Sequence, residues 1–185
     1  MLFWPVPESY NKKIPHSNEP GSFWEEVGDK YNCGVDIYAP EGSQVIAPES
    51  GRVIAVEMFT DSRVMSHFND TKYVIIRTAN NLFLKLAAMG NITVKIGDKV
   101  EAGDKMGEIK KIVEDDRIYN LIIQNNFFLS SSYQNSYLHI ELTRPPIMEF
   151  KPYLAGYFQD STKPYSLINP SEYLASLDMQ ANNAA

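Results

Sequence analysis

The sequence predicts an all-β fold with an N-terminal arm and a short C-terminal helix. Three observations carry that expectation. From Gly34 onward, short runs rich in Val, Ile, Tyr and Phe are punctuated by Gly and Pro, as in compact β sandwiches and barrels. One stretch, with a rhythm of Gly, Val, Gly, Val, returns later in the chain. The one sustained helix signal stands near the end, at Asn169-Pro170-Ser171-Glu172-Tyr173-Leu174, where Ser171 is placed to start a helix.

The 185 residues suffice for one domain with a true core, and 44% hydrophobic with 22% charged residues is ordinary for a globular chain. With 17 Lys and Arg against 23 Asp and Glu, the net charge of −6 disfavours nucleic acid and anionic membranes as partners. No apolar run reaches the roughly 20 residues of a membrane span. The start, Met1-Leu2-Phe3-Trp4-Pro5-Val6-Pro7, lacks the basic and apolar regions of a signal peptide. The expectation is a cytoplasmic chain if Met1 is the native start, or one from which a leader has been removed. The single Cys33 cannot close an internal disulfide.

Residues 1–31 mix Pro, Asn, Ser and aromatics without periodicity. They read as an arm packed on the core through Phe3, Trp4, Phe23 and Trp24, with Trp24-Glu25-Glu26-Val27 as a short helical turn. Strands then follow at Gly34-Val35-Asp36-Ile37-Tyr38, Gln44-Val45-Ile46-Ala47 and Gly51-Arg52-Val53-Ile54-Ala55-Val56. Two more lie at Lys72-Tyr73-Val74-Ile75-Ile76-Arg77 and Leu82-Phe83-Leu84-Lys85-Leu86. Residues 110–136 contain no glycine and read as an insertion. Ile118-Tyr119-Asn120-Leu121-Ile122-Ile123 and Asn126-Phe127-Phe128-Leu129 are its strand candidates. Tyr137-Leu138-His139-Ile140-Glu141-Leu142 is the last long strand of a β domain spanning 32–177, and 178–185 form a flexible tail.

The repeated rhythm runs through Gly42, Val45, Gly51 and Val53, and again through Gly97, Val100, Gly103 and Gly107. Each glycine is expected to supply a turn conformation that a Cβ disfavours. The pattern resembles the hammerhead of biotinyl and lipoyl carriers and related swapped-strand barrels. Its double occurrence implies a duplicated hybrid motif, a barrel-sandwich hybrid. Carrier function itself is not expected, because Asp104-Lys105-Met106 occupies the turn before the final Gly-Glu-Ile rather than an attachment hairpin. A sugar-phosphotransfer domain would need two facing histidines, and the strand offers one.

Asn32-Cys33-Gly34-Val35-Asp36-Ile37-Tyr38-Ala39-Pro40, together with the Tyr137 strand, resembles the lysostaphin-type (LytM-like) zinc metallopeptidases. The likeness runs from about Phe3 to Leu174 and includes Trp4-Pro5-Val6 and Asn169-Pro170. The resemblance implies two zinc ligands from a His-x-Gly-x-Asp segment and a catalytic His on a middle strand. A His-x-His strand would give a second catalytic His and the third ligand. Three protein ligands leave zinc a position for water, which the metal acidifies while histidines move protons.

This chain departs from that pattern. Asn32 replaces the first ligand, Ala88 (or Ala87, if the register slips) stands at the first catalytic position, and Tyr137 stands at the second. Asp36 and His139 are kept. A neutral amide suits hard cations better than zinc, and Ala88 cannot carry a proton. Asp36 and His139 are therefore expected as a remnant metal site, with no cofactor or zinc at low occupancy. Three readings stay open: a mutual Asp36–His139 hydrogen bond, a weak metal site, and a catalytic site rescued by another residue. His67 and then His16 are the candidate rescuers, although both sit in polar loop text. Glu141 shares a strand face with Tyr137 and His139 and either substitutes as an acid or pairs with a base. Cys33 points away from Asp36 and reads as a small buried residue, with a soft-ligand role the alternative.

The expectation is a catalytically degenerate LytM-like domain, a pseudoenzyme that holds a cell-wall peptide or an envelope protein in a groove lined by Asn32, Asp36, Ala88, Tyr137 and His139. The resemblance places it at the cell envelope. The alternative is a divergent zinc metalloendopeptidase with a remodelled metal site; a purely structural domain is the third reading.

Overall fold

The computed structural model describes residues 2–10, 12–115, 136–146 and 153–181, with side chains of the final helix described to Leu177. The strand candidates at 118–123 and 126–129, with most of the 110–136 insertion, lie outside the described residues.

The described elements are β1 Glu26–Val27, β2 Lys30–Asn32, β3 Val35–Tyr38, β4 Gln44–Ile46, β5 Gly51–Thr60, β6 Thr71–Thr78 and β7 Phe83–Gly90. They continue with β8 Lys99–Val100, β9 Lys105–Ile109, β10 Tyr137–Thr143, β11 Tyr153–Leu154, β12 Tyr157–Phe158, β13 Leu167–Ile168 and the C-terminal helix Ser171–Ala181. Apart from that helix and Asp115, which is helical, the described elements are strands, and the all-β class is the one that the sequence predicts.

The main sheet runs β13-β10-β7-β6-β5-β8, with β3 added beside β10, and β9 pairing both β4 and β7. Period-2 alternation assigns its faces. Val74, Ile76, Leu84, Leu86, Leu138, Ile140 and Leu142 turn into the principal core, which also takes Trp4, Val6 and Leu174 and Leu177 of the helix. Burying each large aliphatic side chain there contributes about 1.5–3 kcal/mol. The opposite face of β7 and β10 carries Lys85, Ala87, Tyr137, His139 and Glu141. It is covered too, by a second cluster that includes Phe59, Phe68, Ala87, Ala88 and Tyr137. A strand covered on both faces explains why a polar pair at its centre is almost fully shielded from solvent.

The two copies of the repeated motif pair with each other: Val45 lies opposite Gly107, and Gly51 opposite Val100. Gly97 and Gly103 have the expected positive φ, 95° and 96°. Gly51 and Gly107 differ from the expectation, because they lie within strands and are needed for space. A Cβ on Gly51 would stand 2.5 Å from the Ile76 side chain, and one on Gly107 2.9 Å from the Gly90 carbonyl oxygen.

A second, small sheet has the order β1-β2-β12-β11 and joins the N-terminal arm to a hairpin near the C-terminus. Here the expected helical turn at Trp24–Val27 is corrected. Glu26–Val27 is a strand, turned at Gly28 (φ 66°) to pair Val27 with Lys30. A single turn of helix offers too few hydrogen bonds to compete with a hairpin whose partner strand is also held from the other side. Trp24 stacks on Tyr31 at 5.0 Å, and Trp4 donates its indole N–H to Ser9 at 3.0 Å. The helix continues to Ala181, past the point where the sequence suggests fraying.

Candidate functional site

β10 is flanked by β3 on one side and β7 on the other, so His139 lies directly between Asp36 and Ala87. Register alone therefore brings Asp36 and His139 together across strands that are 103 residues apart in sequence. The imidazole Nδ1 lies 2.7 Å from Asp36 Oδ1. The other ring nitrogen, Nε2, lies 3.1 Å from Glu141 Oε1. Phe59 stacks over the ring at 5.6 Å.

Glu141 is the second centre of the site. Its cross-strand neighbour is Lys85, whose ammonium lies 3.1 Å from Glu141 Oε1. Tyr153 donates its hydroxyl to the same oxygen, and Lys85 Nζ lies 2.6 Å from that hydroxyl. The ammonium also faces the rings of Tyr153, Tyr73 and Phe59 at 4.5, 4.7 and 5.3 Å. Three aromatic faces around a partly desolvated cation are favourable through the ring quadrupoles. The chain Asp36–His139–Glu141–Lys85 thus alternates acid and base from a buried interior to a partly buried ammonium.

The protonation follows from these contacts. Burial would lower the His139 pKa, but hydrogen bonds and charges from Asp36 and Glu141 outweigh it and raise it to about 9. Burial would raise that of Glu141, but Lys85, His139 and Tyr153 hold it well below the usual carboxylate range. Burial, with Asp36 and Tyr38 adding to it, pushes the Tyr137 phenol up, so it stays neutral. An imidazolium between two carboxylates, one of them paired with an ammonium, is balanced in charge.

The five residues expected to line a groove are all in this interior: Asn32 at 0%, Asp36 at 4%, Ala88 at 1%, Tyr137 at 7% and His139 at 2% exposure. Packed this closely, they do not present an open surface. Asn32, at the end of β2, accepts from the Gly34 backbone N–H at 3.2 Å and sends its amide toward Asp36 Oδ2 at 3.5 Å. Tyr137 meets Tyr38 edge-on at 5.9 Å. A register shift between β6 and β7 sets Ala87 and Ala88 together against Tyr73. Ala87 is therefore the residue opposite His139, and Ala88 beside it takes a φ of 63°. His16 is exposed and His67 half-buried, both in loops, and among the described residues neither is hydrogen-bonded to Asp36 or His139. Cys33 is buried, as expected, with its thiol pushed up chiefly by burial.

A catalytic zinc needs three donors aimed at one point. Asp36 and Glu141 lie against opposite nitrogens of His139, so the three cannot converge. Among the described residues no group of three His, Cys, Asp or Glu side chains is placed to hold an ion. Among the described residues Asp36 and His139 lie together with only the neutral Asn32 amide beside them, and that set falls short of the three good donors of a catalytic zinc.

Sequence reasoning missed Lys85, Tyr153 and Phe59. Lys85 carried a signal: a lone charge in Phe83-Leu84-Lys85-Leu86-Ala87 has to find a partner if its strand is covered on both faces. Tyr153 carried none, since nothing in the sequence ties the segment after β10 back to that strand.

The family model described as Peptidase family M23 matches residues 30–126, just over half of the chain. Among solved structures, the catalytic domain of the antimicrobial peptidase lysostaphin from Staphylococcus simulans is similar at 14% identity and a TM-score of 0.52, over 88% of this chain and 92% of that one. A putative glycyl-glycine endopeptidase lytM from Ruminococcus gnavus is similar at 15% identity and a TM-score of 0.52, over 96% of this chain and 61% of that one. A putative peptidase M23 from Pseudomonas aeruginosa is 18% identical at a TM-score of 0.46, over 77% of this chain, which spans only 44% of its length. At these identities the likeness is one of fold. No curated relative matches the chain by sequence.

Proposed function

The chain belongs to peptidase family M23, and on that premise we propose that it is a non-catalytic member, a module that binds a peptide of cell-wall type or an envelope protein without cutting it. One observation carries the reading. Asp36 and His139, which the resemblance places at two ligand positions, are hydrogen-bonded to each other at 2.7 Å in a packed interior. Each of the two ring nitrogens faces a carboxylate, so a metal would have to displace a hydrogen bond to reach either one. The absence of imidazoles at Asn32, Ala88 and Tyr137 supports the same reading, since proton transfer near neutrality needs a group that titrates there.

The peptide partner is argued from the relatives. One is named an antimicrobial peptidase and another a putative glycyl-glycine endopeptidase. A fold kept while its catalytic groups are lost retains peptide recognition as the function left to it, and an envelope location goes with that partner. The test is direct. Protein purified without added metal is incubated with peptidoglycan and with pentaglycine. The reading expects co-sedimentation with peptidoglycan and no hydrolysis, with or without zinc. Zinc-dependent cleavage that His139→Ala abolishes contradicts it and favours the divergent endopeptidase.

A further inference from the structure

The closed site takes up one end of the outer face of the main sheet, and the other end is open and charged. Residues directly opposite on antiparallel strands share a face, so the registers give rows across it. One row runs Glu141, Lys85, Ile75, Ala55. It leads away from the histidine, where the structure is shut: a Cβ on Gly156 would stand 2.7 Å from His139 Nε2. The next row out runs Thr143, Phe83, Arg77, Arg52, Lys99, from β10 across β7, β6 and β5 to β8. Arg77, Arg52 and Lys99 are all exposed.

These three cations work against the sheet. Like charges directly opposite across strands are destabilising, yet Arg52 faces Arg77 on one side and Lys99 on the other. Among the described residues none of the three is ion-paired; the Lys and Arg ion pairs are those of Lys13, Lys30, Arg63, Lys85, Lys105 and Lys111. The acids closest to Lys99 in sequence are turned to their own loops. Asp98 accepts the Lys95 backbone N–H at 2.9 Å, and Glu101 accepts the Ser50 hydroxyl at 2.7 Å. The arginines are held by neutral acceptors instead. Arg52 donates to the Gly97 carbonyl at 2.7 Å, and Arg77 to the Asn81 side-chain oxygen at 2.7 Å. Each contact fixes a guanidinium while using one N–H of its fork. A chain of net charge −6 that gathers three such cations on one open row has there a place for an anion.

The row also limits what the anion can be. Neighbouring strands lie about 4.8 Å apart, so the backbone distance from Lys99 to Arg77 is about 10 Å. An extended peptide carries side chains i and i+2 about 6.8 Å apart on one face. Two carboxylates at that spacing fall within reach of the row, and a guanidinium fork takes a carboxylate through paired hydrogen bonds. Half-buried Phe83, Ile75 and Ala55 stand beside the arginines on the same face and suit an apolar side chain. A long polyanion fits less well, because the negative remainder of the chain repels it. We propose that Lys99, Arg52 and Arg77 form a recognition row for a short acidic peptide, with its carboxylates on the arginines and an apolar side chain over Phe83 and Ile75. The proposal deepens the peptide-binding reading and rests on it for the ligand being a peptide.

The test uses the full chain and two synthetic peptides with blocked termini, Leu-Glu-Gly-Glu-Ala and Leu-Gln-Gly-Gln-Ala, titrated by calorimetry. The wild type is expected to bind the acidic peptide about tenfold more tightly than the amide one. That preference is expected to collapse at about 1 M salt, where the Debye length is about 3 Å. Arg52→Gln with Arg77→Gln is expected to weaken the acidic peptide about tenfold. Lys12→Gln with Lys72→Gln, the same charge change at exposed positions outside the row, is expected to leave it unchanged. The arginine variant is also expected to keep or exceed the thermal midpoint of the wild type, because a like-charge contact is relieved. Equal affinity for the two peptides, or an equal loss in the lysine control, overturns the proposal and leaves the row an ordinary solvated surface. Tighter binding of a phosphatidylglycerol vesicle or a single-stranded oligonucleotide than of the acidic peptide overturns it as well. If the arginine variant does not fold, the preference of the wild type between the two peptides decides. Co-sedimentation separates the two claims. Peptidoglycan binding that the arginine variant keeps in full contradicts the row alone, whereas acidic-peptide binding without any co-sedimentation contradicts the cell-wall reading alone.

Discussion

His139 lies between Asp36 and Glu141, 2.7 Å from the first and 3.1 Å from the second, so one imidazole joins two carboxylates carried by two adjacent strands, β3 and β10. Removing the ring leaves both acids buried without their shared partner. His139→Gln is expected to cost about 3–5 kcal/mol, the range for breaking a buried ion pair. Urea unfolding in the presence of a chelator measures it. A loss below about 1 kcal/mol, the scale of an exposed pair, contradicts the network.

The same network sets a pH dependence. The folded-state pKa of His139, about 9, lies above its ordinary value of 6.5, so its contribution is fully present below pH 6.5 and is lost as pH rises through 9. The thermal midpoint of the wild type is expected to fall between these values, and that of His139→Gln to vary less. Glu141 works in the opposite sense. Its folded pKa is depressed, so its contribution is present above the ordinary carboxylate range and fades as pH falls through it and below.

Lys85 and Glu141 are expected to be coupled. Lys85→Met alone strands the carboxylate and is expected to cost about 2–4 kcal/mol, whereas adding Glu141→Gln recovers part of that loss. A double-mutant cycle by chemical denaturation gives the coupling, expected to exceed about 1 kcal/mol. Strict additivity contradicts direct pairing.

Restoring one histidine is not expected to give chemistry. Ala88 is 1% exposed and lies against Phe59 and Tyr137. Ala88→His overfills that space and is expected to destabilise by about 1–3 kcal/mol, with no peptidoglycan hydrolysis. Hydrolysis by the single variant would show that a working metal centre lies beside it.

The strands around the site were legible in the sequence because they alternate: Leu138, Ile140 and Leu142 mark one face of β10 and leave Tyr137, His139 and Glu141 on the other. The repeated glycine motif likewise announced the segments that pair as β4 with β9. The closure of the site was not legible. It depends on Tyr153 and Gly156 returning to β10 from a segment whose local pattern says only that it turns. Lys85 could be read as a charge needing a partner, but not which one, because cross-strand register is set by the whole sheet. Glu26–Val27 was missed for a similar reason, since its strand state comes from its neighbours rather than from its own short sequence.

Zinc content tests the central claim most directly. The full chain, purified without added metal and then dialysed against one equivalent of zinc, is assayed by elemental analysis beside His139→Ala. The account predicts less than about 0.1 zinc per chain in both, since two good donors fall short of a site. One zinc per wild-type chain, lost in His139→Ala, would contradict it.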